Sequence, residues 1–235
     1  MRLAILLDAR DRVGEEESLV DARHIGRCEV RCTGVSQGGI GDAVKHEEPL
    51  VKMDKAEYGV LSVSSKVNAK PYHDIFVSLP IPKAVSQSAY EQAGRILQRA
   101  NGARKEYLIA INARTGAVLA DNTEMPAKDR KTGFTSGQGK IVSSCGDGAI
   151  LIHNHPESKP PSYRDILTAS TEASVRGSII VGHDGSVWYL VVDDSKIADE
   201  LAAFYNACRD AYGEYAEAHA VEMLLDSGKI EWRKA

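Results

Sequence analysis

Apolar residues recur in short runs along the second half of the chain, and their order predicts the strands of a sheet. Glu106 opens an apolar run that residues 112–116 turn back into Val118 and Leu119, which is the pattern of a β-hairpin. Residues 149–152 predict a buried strand that continues into the residues before Pro156. Residues 178–181 and 187–192 predict a second hairpin, because His183-Asp-Gly185 between them is a good turn.

Helical spacing of apolar residues fills the segments between these strands. It predicts a helix from Ser88 to about Asn101, a helix that begins at Ser162, and closing helices over residues 195–227 with an interruption near Gly213. Strands and helices that alternate in this way predict an α/β fold.

The N-terminal part of the chain has a different pattern, in which short apolar runs alternate with turns. Runs at residues 3–7, 58–63 and 75–80 predict strands. We therefore assign residues 1–84 to a strand-rich N-terminal region of unknown role and residues 85–235 to a second domain. Within that domain, the polar, glycine-rich residues 121–148 predict mobile loops beside a functional cleft.

Composition and charge narrow the classes of function. The chain of 235 residues is 43% hydrophobic and 26% charged, which suits a soluble globular protein. Its formal charge of -4 argues against a protein built to bind phosphate backbones. The apolar run at residues 3–7 is too short for a signal peptide or membrane span, and four scattered cysteines suit a reducing compartment. We expect a cytoplasmic protein that binds neither membrane nor nucleic acid.

The segment from His153 to Asp165 carries the strongest chemical signal. Side chains two apart on a strand share a face, so His153 and His155 point the same way. Asp165 follows one turn into the helix that begins at Ser162. Two imidazoles and a carboxylate could hold one zinc ion and leave a fourth position open, which is the arrangement of catalytic zinc sites.

A purely structural interpretation of the same residues has to be weighed against this one. Ser162 and Asp165 also form an ordinary helix start, because a serine hydroxyl caps free N–H groups and an acidic residue favours the positive end of the helix dipole. Pairs of histidines on strands also arise by chance. The combination favours a metal site, since neither the histidine pair nor the cap needs the other for folding.

The sequence His153-Asn-His-Pro156 followed by Ser162-x-x-Asp165 resembles the signature of the JAMM metalloproteases (MPN+ or JAB domains). The resemblance covers about residues 85–195, and the Asn is similar to bacterial branches that include RadC-like proteins and JAB peptidases of phages and mobile elements. The loop at residues 156–161 is one residue shorter than is usual in the family. The resemblance implies a JAMM/MPN (cytidine-deaminase-like) fold, with a mixed sheet flanked by helices.

The resemblance also implies a mechanism and a role for each residue. His153, His155 and Asp165 would hold Zn²⁺, and a glutamate from an earlier strand would act as general base on a metal-activated water that cleaves a peptide or isopeptide bond. Glu106 is our first choice for this base because it opens an apolar strand. Glu124, in a polar loop, is the alternative. The Ser162 hydroxyl would hydrogen-bond the developing oxyanion.

The implied substrate is a protein or peptide, and conjugates of ubiquitin-like proteins are one class that the family cleaves. Two other functions stay open. A RadC-like protein acting around DNA would share the motif, but the acidic charge balance opposes it. A catalytically silent MPN scaffold is opposed by the complete set of motif residues.

Overall fold

A mixed β-sheet organises the part of the chain that this computed structural model describes, namely residues 61–126, 132–192, 194 and 196–234. Its six strands are β1 (Leu108–Asn112), β2 (Val118–Asp121), β3 (Ala149–His155), β4 (Val175–Gly182), β5 (Val187–Val191) and β6 (Glu231–Lys234). Their order across the sheet is β2-β1-β3-β4-β5-β6. Only β3 and β4 run parallel among these neighbouring pairs, so a crossover joins them on one face of the sheet.

Helices cover both faces of this sheet. They are α1 (Lys70–Val77), α2 (Lys83–Ala100), α3 (Ser136–Ser143), α4 (Tyr163–Thr171), α5 (Lys196–Tyr212) and α6 (Ala216–Asp226), with 3₁₀ turns at Ser65–Asn68 and Gly213–Tyr215. One face, which includes Ile150 and Ile152, packs in a core with α1 and α2. The other face packs Ile180 and Leu190 against α4, α5 and α6. The predicted α/β class is confirmed, with α4 as the crossover between β3 and β4.

The predicted hairpins and closing helices are present. β1 and β2 pair antiparallel, as do β4 and β5, and His183-Asp-Gly185 makes the turn of the second hairpin with Gly185 at a φ of 88°. That left-handed conformation suits glycine because it has no Cβ. The closing helices break at Gly213, as predicted. Helix α2 begins at Lys83, five residues before Ser88, and ends at the predicted position.

Some predictions from the pattern are wrong. Residues 75–80 are not a strand, because Lys70–Val77 is α1: Pro71 lies in its first turn, and Tyr72 and Phe76, one helical turn apart, are both buried. Residues 121–148 are not simply loops, because they contain α3. Its start is fixed by a capping box between Thr135 and Gln138.

The described part of the predicted N-terminal region belongs to the core beside α2. Val63, Val67, Tyr72, Phe76 and Leu79 are buried in the same cluster as Ile150 and Ile152 of β3. The predicted strand at residues 3–7 and the first half of the one at 58–63 lie outside the described residues. Residues 61–63, which are described, are turn, bend and irregular backbone, so this part of the prediction is wrong. None of the described helices combines the length and the apolar character that a membrane crossing requires.

Candidate metal centre

The end of β3 and the first turn of α4 bring the three predicted ligands together. Residues 149–154 of β3 are buried, and the alternation of the strand places His153 and His155 on the face that α4 covers. Residues 156–161 then return the chain so that α4 starts beside the strand end. His153, His155 and Asp165 are one group that could hold a metal ion.

The distances within this group fit a tetrahedral site. The two Nε2 atoms of His153 and His155 lie 3.1 Å apart. Asp165 places Oδ1 3.1 Å from Nε2 of His153 and Oδ2 3.4 Å from Nε2 of His155. Bonds of about 2.0–2.1 Å in a tetrahedron separate the ligand atoms by about 3.3 Å. Each of the three distances is close to that separation. Because the two carboxylate distances belong to different oxygens of Asp165, they place the three side chains around one centre without fixing three corners of a site.

Hydrogen bonds around the group orient the ligand atoms. Nδ1 of His155 lies 2.8 Å from the carbonyl oxygen of Lys159, which only accepts, so Nδ1 carries the proton and donates. In the neutral imidazole, Nε2 then holds the lone pair that faces the group. Metal-binding histidines are commonly fixed in this way by a backbone carbonyl. This contact depends on the loop between β3 and α4.

Burial and the charges of neighbouring side chains shift the pKa values of Asp165 and His155. Burial raises the pKa of Asp165, but the imidazoles of His153 and His155 lower it more, so that its pKa lies well below the ordinary range. Burial lowers the pKa of His155, but the hydrogen bond and charge of Asp165 outweigh it, with smaller contributions from the Lys159 carbonyl and the charge of Glu106. The net pKa of His155 is raised.

Glu106 precedes β1 by two residues, whereas the sequence pattern predicted that it opens the strand. Leu108, the first residue of β1, pairs with His153, so Glu106 lies near the end of β3 that carries the group. Its charge raises the pKa of His155, which agrees with that placement. Glu124 follows β2, a strand further from β3; its side chain is 85% exposed, and its carboxylate lies 4.0 Å from Arg99. Of the two candidate bases, the geometry favours Glu106.

Ser162 caps the N-terminus of α4, which is the structural role considered for it in the sequence. Its Oγ accepts a hydrogen bond from the Asp165 N–H at 3.4 Å, and its own N–H donates to Oδ2 of Asp165 at 2.6 Å, which completes a capping box at the start of α4. The hydroxyl also donates to Oδ2 of Asp165 at 2.7 Å. The helix cap and the candidate metal centre therefore share the same carboxylate.

Two residues near the group were not assigned a role from the sequence. Asn154, between the two histidines, is completely buried and hydrogen-bonds the backbone of residues 105 and 107. His183 is also buried, and its ring contacts the Asn154 amide. The sequence contained one signal for Asn154, since it is a polar residue on the strand face that otherwise carries Ile150 and Ile152. Only the structure identifies its partners.

Comparisons of this chain with family models, with curated proteins and with solved structures found no match. The function is therefore inferred from the geometry and chemistry of the described residues.

Proposed function

We propose that this protein is a zinc-dependent metallopeptidase that hydrolyses a peptide or isopeptide bond. The observation that carries the proposal is the convergence of His153, His155 and Asp165, whose side-chain nitrogen and oxygen atoms approach one another to 3.1–3.4 Å. With three protein ligands, a tetrahedral ion keeps one position for water or substrate, as catalytic zinc sites do.

The residues around the group supply the parts that amide hydrolysis needs. Zinc would contribute Lewis acidity, which makes water acidic enough to lose a proton near neutral pH and polarises a carbonyl. Glu106, beside His155, would take the proton from water and deliver it to the departing nitrogen. The Ser162 hydroxyl lies at the edge of the group, where it would donate to the oxyanion when it turns from Asp165.

The proposal includes the JAMM/MPN type of fold and a protein or peptide substrate in the cytoplasm, with ubiquitin-like conjugates as one class to be tested. The mixed sheet and the order of the motif along β3 and α4 support it. Binding to DNA and a silent scaffold are outcomes of the experiment below.

The experiment measures metal content and hydrolysis for the full chain. We expect about one zinc per chain, and chelator-sensitive cleavage of linear peptides or ubiquitin-like fusions. His153→Ala should lose both. A protein that contains no metal and behaves like His153→Ala would refute the proposal. A protein that holds zinc, cleaves nothing and binds partners would be a scaffold, and salt-sensitive DNA binding would favour the RadC-like alternative.

The general base is tested by a matched pair of variants. Glu106→Gln should retain zinc and lose about 10²–10⁴-fold in kcat, since it removes a proton acceptor and little volume. Glu124→Gln makes the same chemical change at an exposed position and should leave kcat unchanged. The reverse result would make Glu124 the base.

A further inference from the structure

We infer that Asn154 is a positioning residue that holds the backbone on both sides of Glu106 and so aims the general base at the metal centre. The inference rests on the proposed function. It assigns to the residue between the two histidines a role distinct from that of the ligands.

The side-chain amide of Asn154 makes hydrogen bonds to the neighbouring chain segment where backbone pairing between strands has ended. Its Oδ1 accepts a hydrogen bond from the N–H of Tyr107 at 2.9 Å, and its Nδ2 donates to the carbonyl of Lys105 at 2.9 Å. β1 begins at Leu108, so these contacts extend the attachment to β3 past the end of the backbone ladder. Glu106 is the residue between the two bonded peptide groups, and both of its neighbours are fixed.

The orientation of this amide is determined by its partners. A backbone N–H only donates and a carbonyl only accepts, so Oδ1 must face Tyr107 and Nδ2 must face Lys105. The second proton of Nδ2 points to Nε2 of His183 at 3.2 Å, while Nδ1 of His183 donates to the carbonyl of Leu61 at 2.6 Å. His183 is therefore neutral, with its proton on Nδ1. Burial, which lowers the pKa of His183, favours the same state.

Alternation along β3 explains how one residue can serve this purpose. Asn154 faces the α2 side of the sheet, and its neighbours His153 and His155 face the opposite side. The amide thus bonds residues 105 and 107 from the α2 side of the sheet, while the charge of Glu106 acts on His155, which faces the opposite side. Because Asn154 lies between two ligands, the base and the ligands are tied to the same strand. Misplacement of a catalytic group by about 1 Å can cost about 10²-fold in rate.

Substitution with a residue of similar size tests this inference. Asn154→Leu removes all three hydrogen bonds without adding charge. The control, Asn122→Leu, removes another buried amide that accepts from the backbone N–H of Leu108 at 2.7 Å, on the β2 side of β1. We expect Asn154→Leu to retain zinc, to keep KM within about 3-fold, and to lose about 10–100-fold in kcat. Asn122→Leu should keep kcat within about 3-fold.

Hydrogen exchange gives a measurement that is independent of catalysis. In Asn154→Leu the Tyr107 amide should exchange at least about 10-fold faster than in the parent, while the Ile109 amide in β1 stays protected. Unchanged exchange at Tyr107 would overturn the inference, and so would an unchanged kcat, an equal loss of kcat in Asn122→Leu, or loss of the metal. Should Asn154→Leu fail to fold, Asn154→Asp replaces it, and a kcat equal to the parent's would overturn the inference.

The two proposals fail in different ways. A parent protein that hydrolyses nothing refutes the proposed function. An active parent whose Asn154→Leu variant is equally active refutes only the positioning role.

Discussion

Replacing Ser162 by alanine should lower the stability of the protein by a calculable amount. The hydroxyl makes two bonds at the start of α4, one from the N–H of Asp165 and one to its carboxylate. An N-cap bond contributes about 0.5–2 kcal/mol, and its length of 3.4 Å here favours the low end. A hydrogen bond to a charged group contributes about 1.5–3 kcal/mol. We use the low end here, because the Asp165 carboxylate would still accept a hydrogen bond from the backbone N–H of residue 162 after the substitution.

The two contributions add to about 2 kcal/mol for Ser162→Ala. In a protein of this length, such a loss lowers Tm by about 4–8 °C. The assay is urea and thermal unfolding followed by circular dichroism. Ser162→Thr, which keeps a capping hydroxyl, should lose only about 0.5 kcal/mol.

A second serine on the same helix provides the control. The Ser170 hydroxyl donates to the carbonyl of Leu167 within α4, so Ser170→Ala should change the free energy of unfolding by less than about 0.5 kcal/mol. The reasoning about the shared carboxylate is refuted if the free energy of unfolding of Ser162→Ala lies within about 0.5 kcal/mol of the parent's, or equals that of Ser170→Ala.

Two further predictions concern stability. Burial raises the pKa of Asp121, but hydrogen bonds from Thr123 and Arg95 outweigh it and the net pKa is lowered. The stability that Asp121 adds is therefore present above its unfolded pKa of about 3.9 and lost as pH falls through the folded value. Urea unfolding measures the difference in free energy of unfolding between the parent and Asp121→Asn. This difference should be constant from about pH 7 to 5 and become smaller below about pH 4. A difference that is unchanged at about pH 3 would contradict the prediction. A Cβ on Gly182 would overlap a serine hydroxyl, so Gly182→Ala should lower the free energy of unfolding by about 1–3 kcal/mol in the same assay. Gly139 lies in open space on α3, so Gly139→Ala should raise the free energy of unfolding by about 0.5–1 kcal/mol. Equal effects of the two substitutions would contradict this reasoning about packing.

Much of the fold could be predicted from the sequence because the deciding interactions are local. The strands β1 to β5 follow from apolar runs bounded by turns, and the start of α4 follows from Ser162 and Asp165, whose contacts span one helical turn. The interruption at Gly213 follows from its positive φ of 52°.

The errors occur where distant contacts decide the structure. The run from Ile75 to Val77 has strand-like residues, but Tyr72 and Phe76 pack on the core as neighbours on a helix. Helix α3 is rich in glycine, and the Gln138 amide ties its start to the carbonyl of Asp121 at 2.6 Å. Strand β6 is short and depends on pairing with β5. The hydrogen bond from Gln138 and the pairing of β6 with β5 leave no periodic pattern of apolar residues in the sequence.

The candidate site divides in the same way. His153, His155 and Asp165 were predictable because strand alternation and a helix cap fix their directions. The choice between Glu106 and Glu124 required the register between β1 and β3. The contacts of Asn154 were not predictable, since its partners come from two segments of the chain that are distant in sequence.

The ligands of the candidate centre come from two different elements. The imidazoles project from β3, which has strands on both sides, whereas the carboxylate lies on the first turn of α4. A bound ion would therefore connect the middle of the sheet to the helix that crosses over it, and loss of the ion would remove a link between these two layers of the fold.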